Sequence, residues 1–176
     1  MYINKYQSPL GEIVMASDGK SLRGLWIYGQ KYFGDILPDK CEEKDLHVFN
    51  ITKTWLDIYF SGEAPDFTPP VFLEGSRFRL GVWEILMDIP YGRVMTYGEI
   101  ANIMAGKMGV DKMSPQAVGG AVGHNPISII VPCHRVVGSN GSLTGYAGGI
   151  DKKVKLLELE KVNMEKLFMP KKGTAL

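Results

Sequence analysis

Ile129-Ile130-Val131-Pro132-Cys133-His134-Arg135-Val136-Val137 sets a thiol, an imidazole and a guanidinium side by side between apolar flanks. A thiol attacks as its thiolate, and a neighbouring imidazole or positive charge promotes that form. Cys133 has both next door. In an extended segment adjacent side chains point to opposite faces. His134 is therefore expected to reach Cys133 through a bend or a bridging water. The plainer reading is a buried structural cysteine, since free Cys is among the most buried residue types. The nine residues alone leave both readings open.

Downstream the chain runs Gly138-Ser139-Asn140-Gly141-Ser142-Leu143-Thr144-Gly145-Tyr146-Ala147-Gly148-Gly149. Upstream stand Asn125-Pro126 and Thr96-Tyr97-Gly98-Glu99-Ile100-Ala101. Together with Pro-Cys-His-Arg-Val, these segments resemble the O6-alkylguanine-DNA alkyltransferases, also called methylated-DNA–protein-cysteine methyltransferases. The likeness is dense over residues 76–162 and looser at Ser8-Pro9-Leu10-Gly11. Relatives that lack the nucleophile carry Trp at its position. This chain has Cys133, which implies an active protein.

Composition sets outer bounds. A chain of 176 residues, 45% apolar and 22% charged, fits one soluble domain or two small ones. No apolar run approaches the roughly 18–20 residues of a membrane span. Met1-Tyr2-Ile3-Asn4-Lys5 lacks the layout of a signal peptide. Cys41 and Cys133 sit in different contexts, so a disulfide framework is not expected and a reducing cytoplasm fits. His47, His124 and His134 are the histidines, and no Cys/His cluster has zinc-finger spacing. No metal or cofactor is expected. Residues 1–75 hold 7 Lys and Arg against 11 Asp and Glu, whereas residues 76–176 hold 13 against 8. The second half is the better candidate for an anionic partner, although charge can also scatter this way.

The first half reads as strands 2–6, 12–17 and 22–27 around the hairpin dipeptide Asp18-Gly19, an antiparallel meander. A helix over 44–60 has Val48, Ile51, Trp55, Ile58 and Tyr59 on one face. His47 near its start reads as a surface residue. Gly62, Pro65, Pro69 and Pro70 mark 62–75 as a linker.

The second half reads as helical. Phe78, Val82, Ile85, Leu86 and Ile89 recur at helical spacing, and Pro90 and Gly92 end the run. Thr96 and Glu99 form a capping box. Ile100, Ile103 and Met104 supply that helix's apolar face, Gly106 a stop, and 107–113 a polar loop. Ser114-Pro115 starts the next helix, 115–123, as N-cap and first residue. Gly119, Gly120 and Gly123 there each cost about 1 kcal/mol relative to Ala. Tight helix packing and close approach to a nucleic-acid groove both explain that cost. Two short helices joined by a loop read as a helix-turn-helix. Asp151 is expected to cap a last helix, 151–161. Glu160 shares a face there with Leu156 and Leu157. It is either a partner for His134 or a surface residue at a helix end. Residues 163–176 show little periodicity and are expected to fray.

The resemblance implies an α/β protein. A small ribonuclease-H-like supporting domain, 1–75, precedes a mainly helical, winged-helix-like DNA-binding domain with a helix-turn-helix, 76–176. The implied partner is double-stranded DNA carrying O6-alkylguanine, met from the minor groove by a monomer without a membrane; the sequence leaves activity on O4-alkylthymine open. Cys133 would take the alkyl group, His134 would act as base through a water, and Glu160 would orient His134. Asn125 would brace the active-site turn. Tyr97 would help swing the nucleotide out and donate to guanine. Val122, Val136, Tyr146, Ala147 and Gly148 would wall the base pocket. Gly98, Gln116, Ala117 and Ser139 would lie along the DNA. Where relatives often carry an Arg that enters the stack, this chain has Gln116. The competing readings are a cysteine hydrolase built on Cys133, His134 and Glu160, which would turn over, and a DNA-binding module with an inert Cys.

Overall fold

The computed structural model of the chain describes residues 1–170. Contacts divide it into two units: Met1–Leu73 with Pro126–Ile130, and Glu74–Asn125 with the chain from Val131 onward. The architecture is mixed α/β, a sheet-bearing N-terminal unit and a helical C-terminal one. Among the described residues no helix is long and apolar enough to cross a membrane.

In the first unit β1 (Tyr2–Ser8), β2 (Gly11–Ser17) and β3 (Leu22–Ile27) form an antiparallel meander, and β4 (Glu42–Glu43) pairs in parallel with β1, in the order β3-β2-β1-β4. The Asp18-Gly19 turn forms because the Asp18 carboxylate accepts the Lys20 and Ser21 amides and Gly19 takes φ +104°. Helix α1 (His47–Phe60) buries Val48, Phe49, Thr52, Trp55, Leu56 and Tyr59. The expected face was misjudged at Ile51 and Ile58, which are only half-buried. Thr52 enters the core because its hydroxyl donates to the Val48 carbonyl at 2.8 Å. His47 is exposed.

Residues 62–73 are docked rather than a free linker. Pro70 and Phe72 bond the backbone of Leu22 at the start of β3 (Leu22 N to Pro70 O 2.7 Å, Phe72 N to Leu22 O 2.9 Å), and the Trp55 indole donates to Phe67 O at 2.9 Å. Prolines lack the donor that a ladder needs, but their carbonyls still accept. The segment Pro126–Ile130 also belongs to this unit. Leu25 N donates to Pro126 O, Ser128 N donates to Leu25 O, and the Ser128 hydroxyl donates to Gln30 Oε1. Ile129 sits at φ +71°, a strained setting for a β-branched residue. The apolar run before Cys133 is therefore a turn, not the extended segment that its composition suggests.

In the second unit α2 (Arg77–Met87) starts at Ser76, whose hydroxyl accepts Arg79 N, and ends ahead of Ile89-Pro90. Strand β5 (Met95–Thr96) pairs in parallel with β6 (Val136–Val137). Helix α3 (Tyr97–Met108) opens on the complete Thr96–Glu99 capping box. It runs past Gly106 to Gly109, the residue in the left-handed region. Its buried face is Ile100, Ala101, Met104 and Ala105, and Ile103 is exposed. Helix α4 (Pro115–Gly123) begins at Ser114, whose hydroxyl accepts Gln116 N. Helix α5 (Ile150–Leu159) is preceded by Gly149 at φ +95°, not capped by Asp151, which lies in the first turn. There its charge complements the helix dipole. The chain after α5 does not fray at 163. Met164 and Leu167 pack on Val137, Leu143, Leu157 and Val162, and Phe168 exchanges backbone bonds with Gly141 and Leu143. The rest of the expected tail, 171–176, lies outside the described residues.

Helix α4 buries Val118, Ala121, Val122 and Gly123 and exposes Gln116, Ala117 and Gly120. A methyl group added at Gly120 would meet nothing within 4 Å, and one at Gly119 only the Tyr97 ring at 3.8 Å. Intramolecular packing therefore does not require glycine at these two positions. Gly120→Ala is expected to stabilise the protein by up to about 1 kcal/mol, read from the urea midpoint. A loss of stability would show that the glycine serves the fold.

Candidate active site

Cys133, His134 and Arg135 form one turn of 3-10 helix, entered from Pro132 and left into β6. Successive side chains in such a turn fan out by roughly 120°. Cys133 and His134 thus diverge less than they would in a strand. All three residues are buried. The Asn125 amide donates to Val131 O at 2.8 Å, clipping the chain ahead of the turn, and its side chain also hydrogen-bonds Cys133.

Glu160, the C-cap of α5, gathers four N–H groups. His134 Nε2 donates to Oε1 at 2.6 Å. Arg135 donates side-on, Nε to Oε2 at 2.9 Å and Nη2 to Oε1 at 3.0 Å. Gly92 N donates to Oε2 at 3.1 Å. Burial works against the charge, but His134 and Arg135 outweigh it and hold the carboxyl down at about 2. A carboxylate only accepts, so Nε2 of His134 carries the proton and Nδ1 is the basic nitrogen. Burial lowers the pKa of His134, keeping the ring neutral. It also pushes the Cys133 thiol up, against the downward pull of Asn125 and Lys153.

Lys153 lies one turn before Leu156 and Leu157 on α5, fully buried. Its ammonium donates to the carbonyls of Val136 (2.5 Å), Thr144 (3.0 Å) and Gly145 (3.2 Å). Burial draws its pKa down to about 8. The Tyr97 hydroxyl reaches two of the same carbonyls, Thr144 at 3.2 Å and Gly145 at 3.3 Å. Tyr97 can turn its proton elsewhere without leaving either oxygen bare.

The structure thus brings Cys133, His134, Glu160 and Asn125 together in the second unit. Val136 is buried in β6 and Val122 in α4. Tyr146 is buried with its ring edge-on to His134, 6.4 Å between centroids, and its hydroxyl has no hydrogen-bond partner among the described residues. Gly148 lies under that ring, where a Cβ would meet it at 2.6 Å. Ala147 and Gly98 are half-buried, and Gln116, Ala117 and Ser139 are exposed. Sequence reasoning missed Lys153, Gly92 and the partner of Arg135. For Lys153 a signal existed: residues 153, 156, 157 and 160 share one helical face.

Two groups here make the fold acid-labile. His134, with a lowered pKa, stays neutral when folded and binds a proton when unfolded, so stability falls as pH drops below 6.5. Glu160, also lowered, contributes stability that is complete above 4.5 and is lost as pH falls towards 2. The urea midpoint is expected to decline in that order. In Glu160→Gln the gap to wild type should narrow below pH 4.5. A gap of constant size would contradict the ionised carboxylate.

Two family models match the chain. The ribonuclease-like domain of 6-O-methylguanine DNA methyltransferase covers residues 1–73, and that family's DNA binding domain covers residues 77–162. A methylated-DNA–protein-cysteine methyltransferase of Methanosarcina acetivorans is 44% identical over 161 residues, 91% of this chain and 98% of the relative. One from Haemophilus influenzae is 39% identical over 163 residues, 92% and 87% of the two chains. The crystal structure of Mycobacterium tuberculosis OGT in complex with DNA superposes with a TM-score of 0.80 at 40% identity, covering 92% of this chain and 93% of that one. With matching domains in order, matching fold and a buried Cys133 beside a Glu160-bound His134, the chain belongs to the methylated-DNA–protein-cysteine methyltransferase family.

Proposed function

We propose that this chain repairs DNA by moving the alkyl group of O6-alkylguanine onto Cys133, once per molecule. The observation that carries the reading is a buried thiol one residue from an imidazole that a buried carboxylate holds at 2.6 Å. His134 Nδ1 takes the thiol proton through a water, and Glu160 fixes the ring. The sulfur attacks the alkyl carbon in line, the S–C bond forms as C–O6 breaks, and the electron pair leaves with guanine. Tyr97 gives up its hold on Thr144 and Gly145 and donates to the guanine ring, while Lys153 keeps those carbonyls satisfied. A thioether has no good leaving group, so no step restores the thiol.

The substrate is double-stranded DNA, entered from the minor groove by a monomer. O6 is out of reach in a duplex, so the nucleotide must leave the stack. Val122, Val136, Tyr146, Ala147 and Gly148 wall the pocket that receives it. Gly98, Gln116, Ala117 and Ser139 lie along the DNA. The amides of the first turn of α4 suit phosphate, and the open face of Gly120 suits a close groove. Two free thiols, Cys41 and Cys133, suit a reducing cytoplasm.

Duplex DNA with labelled O6-methylguanine tests the reading. Cys133→Ser is expected to abolish transfer while keeping duplex binding, because a hydroxyl is far less acidic than a thiol. Cys41→Ser should transfer normally, and wild type should stop at one equivalent. Product beyond the protein concentration would instead favour a hydrolase, and binding without label an inert module.

Gln116 has the length to fill the hole left by the flipped base but lacks the planar cation of Arg. Gln116→Ala is expected to slow repair of duplex and barely change reaction with free O6-benzylguanine, which needs no flipping. Gln116→Arg should equal or exceed wild type on duplex. Equal losses on both substrates would mean that Gln116 supports the fold.

A further inference from the structure

The alkyl-transfer reading assigns Glu160 to His134, yet Arg135 makes more of the carboxylate's bonds than His134 does. Glu160 stands at the C-terminal end of α5, where the helix dipole is negative and a carboxylate is disfavoured. It is also out of water, so its charge demands a cation. If the imidazole were the only partner, the carboxylate would work against burial and favour a second proton on His134, which leaves Nδ1 without a lone pair. Arg135 cannot give up its charge and meets both oxygens at once. It is itself held by the Ile89 carbonyl, which accepts from Nη1 at 2.6 Å, and stands 5.8 Å over the Tyr91 ring. We propose that Arg135 is a positioning residue for the transfer reaction. By clamping both oxygens of Glu160 it satisfies the carboxylate's charge, so that His134 stays an uncharged Nε2–H imidazole with Nδ1 available as the base.

The inference rests on the alkyl-transfer reading but is measurable without it. The charged and titratable groups that face His134 are Glu160 and Lys153 on and after α5, Arg135 and Cys133 in its own turn, and the Tyr146 phenol. Burial presses its pKa down most, Glu160 raises it, and Arg135 and Lys153 add to the downward push. Removing Arg135 takes away one of the two opposing cations and leaves Glu160 to His134. NMR titration of the histidine rings in the full-length protein reads the state of His134 directly, in wild type, Arg135→Met and Arg135→Lys. The second-order rate with free O6-benzylguanine, from pH 5 to 9, reads its consequence.

In Arg135→Met, His134 is expected to titrate at least about one pH unit higher than in wild type. The rate should fall about tenfold or more near neutrality and recover towards wild type at high pH. Arg135→Lys keeps the charge and loses the fork. Its titration should match wild type while its rate is lower by a constant factor across pH. A purely structural role would lower the rate equally at every pH in both variants and leave the titration in place, which would overturn the proposal. Should Arg135→Met fail to fold, Arg135→Gln, which keeps N–H donors without charge, takes its place. If wild type transfers no alkyl group, the repair reading fails, and the titration still decides the role of Arg135.

Discussion

A carboxylate removed from water must recover both its hydrogen bonds and a counter-charge. Glu160 recovers them from four N–H groups on two segments: the Cys133–Arg135 turn, which supplies His134 and Arg135, and the Pro90-Tyr91-Gly92 turn, which supplies a backbone amide. The end of α5 is thereby tied to the turn after α2 and to the nucleophile's own turn. Gly92 adopts φ +75°, and a Cβ there would press on the Glu160 carbonyl at 3.0 Å. The same turn sends the Tyr91 hydroxyl to Leu159 O at 3.2 Å. The geometry of the imidazole follows from these bonds, since a ring held at Nε2 has its other nitrogen aimed by default.

A second buried charge organises the other side of the site. Lys153 joins the carbonyl of β6 to those of Thr144 and Gly145. The stretch from 136 to 145 loops back on itself around one ammonium. The segment Tyr146-Ala147-Gly148 follows that loop and leads directly into α5. Arg135 ties the Cys133 turn to Glu160, Lys153 ties α5 to the loop between them, and Leu156 and Leu157 are fully buried on the same helix.

The features that could be read from sequence are those decided within a few residues. Thr96 with Glu99, Ser114 with Pro115, and Asp18 with Gly19 each satisfy nearby amides, and their structures follow from local chemistry. Glu160 shares a face with Leu156 and Leu157 by spacing alone, which makes it a candidate partner for His134. What escaped depends on distant segments. Nothing near Gly92 signals a carboxylate 68 residues away. The turn at Ile129 runs against the preference of β-branched residues for strands, and bonds such as those between Leu25 and Pro126 and Ser128 hold the backbone there. Asp151 looked like a cap, but Gly149 takes the bend at φ +95° that leads into α5. Ile51 and Ile58 lost the core face of α1 to Phe49, Thr52 and Leu56 because a helix stripe read from hydrophobicity ignores a Thr that satisfies itself.

The resting state of Cys133 has a consequence for how the protein endures. A reactant that is consumed in its single event has to survive until that event. An exposed thiolate would be lost to peroxides, climbing the oxidation ladder to acids that no thiol reduces. Cys133 is 4% exposed, and burial keeps its sulfur protonated. Solvent oxidants therefore meet a thiol they can barely touch and that reacts poorly when they do. The shelf life of unused molecules is then set by how often the Val131–Val137 segment opens, a property of packing, rather than by the intrinsic reactivity of sulfur.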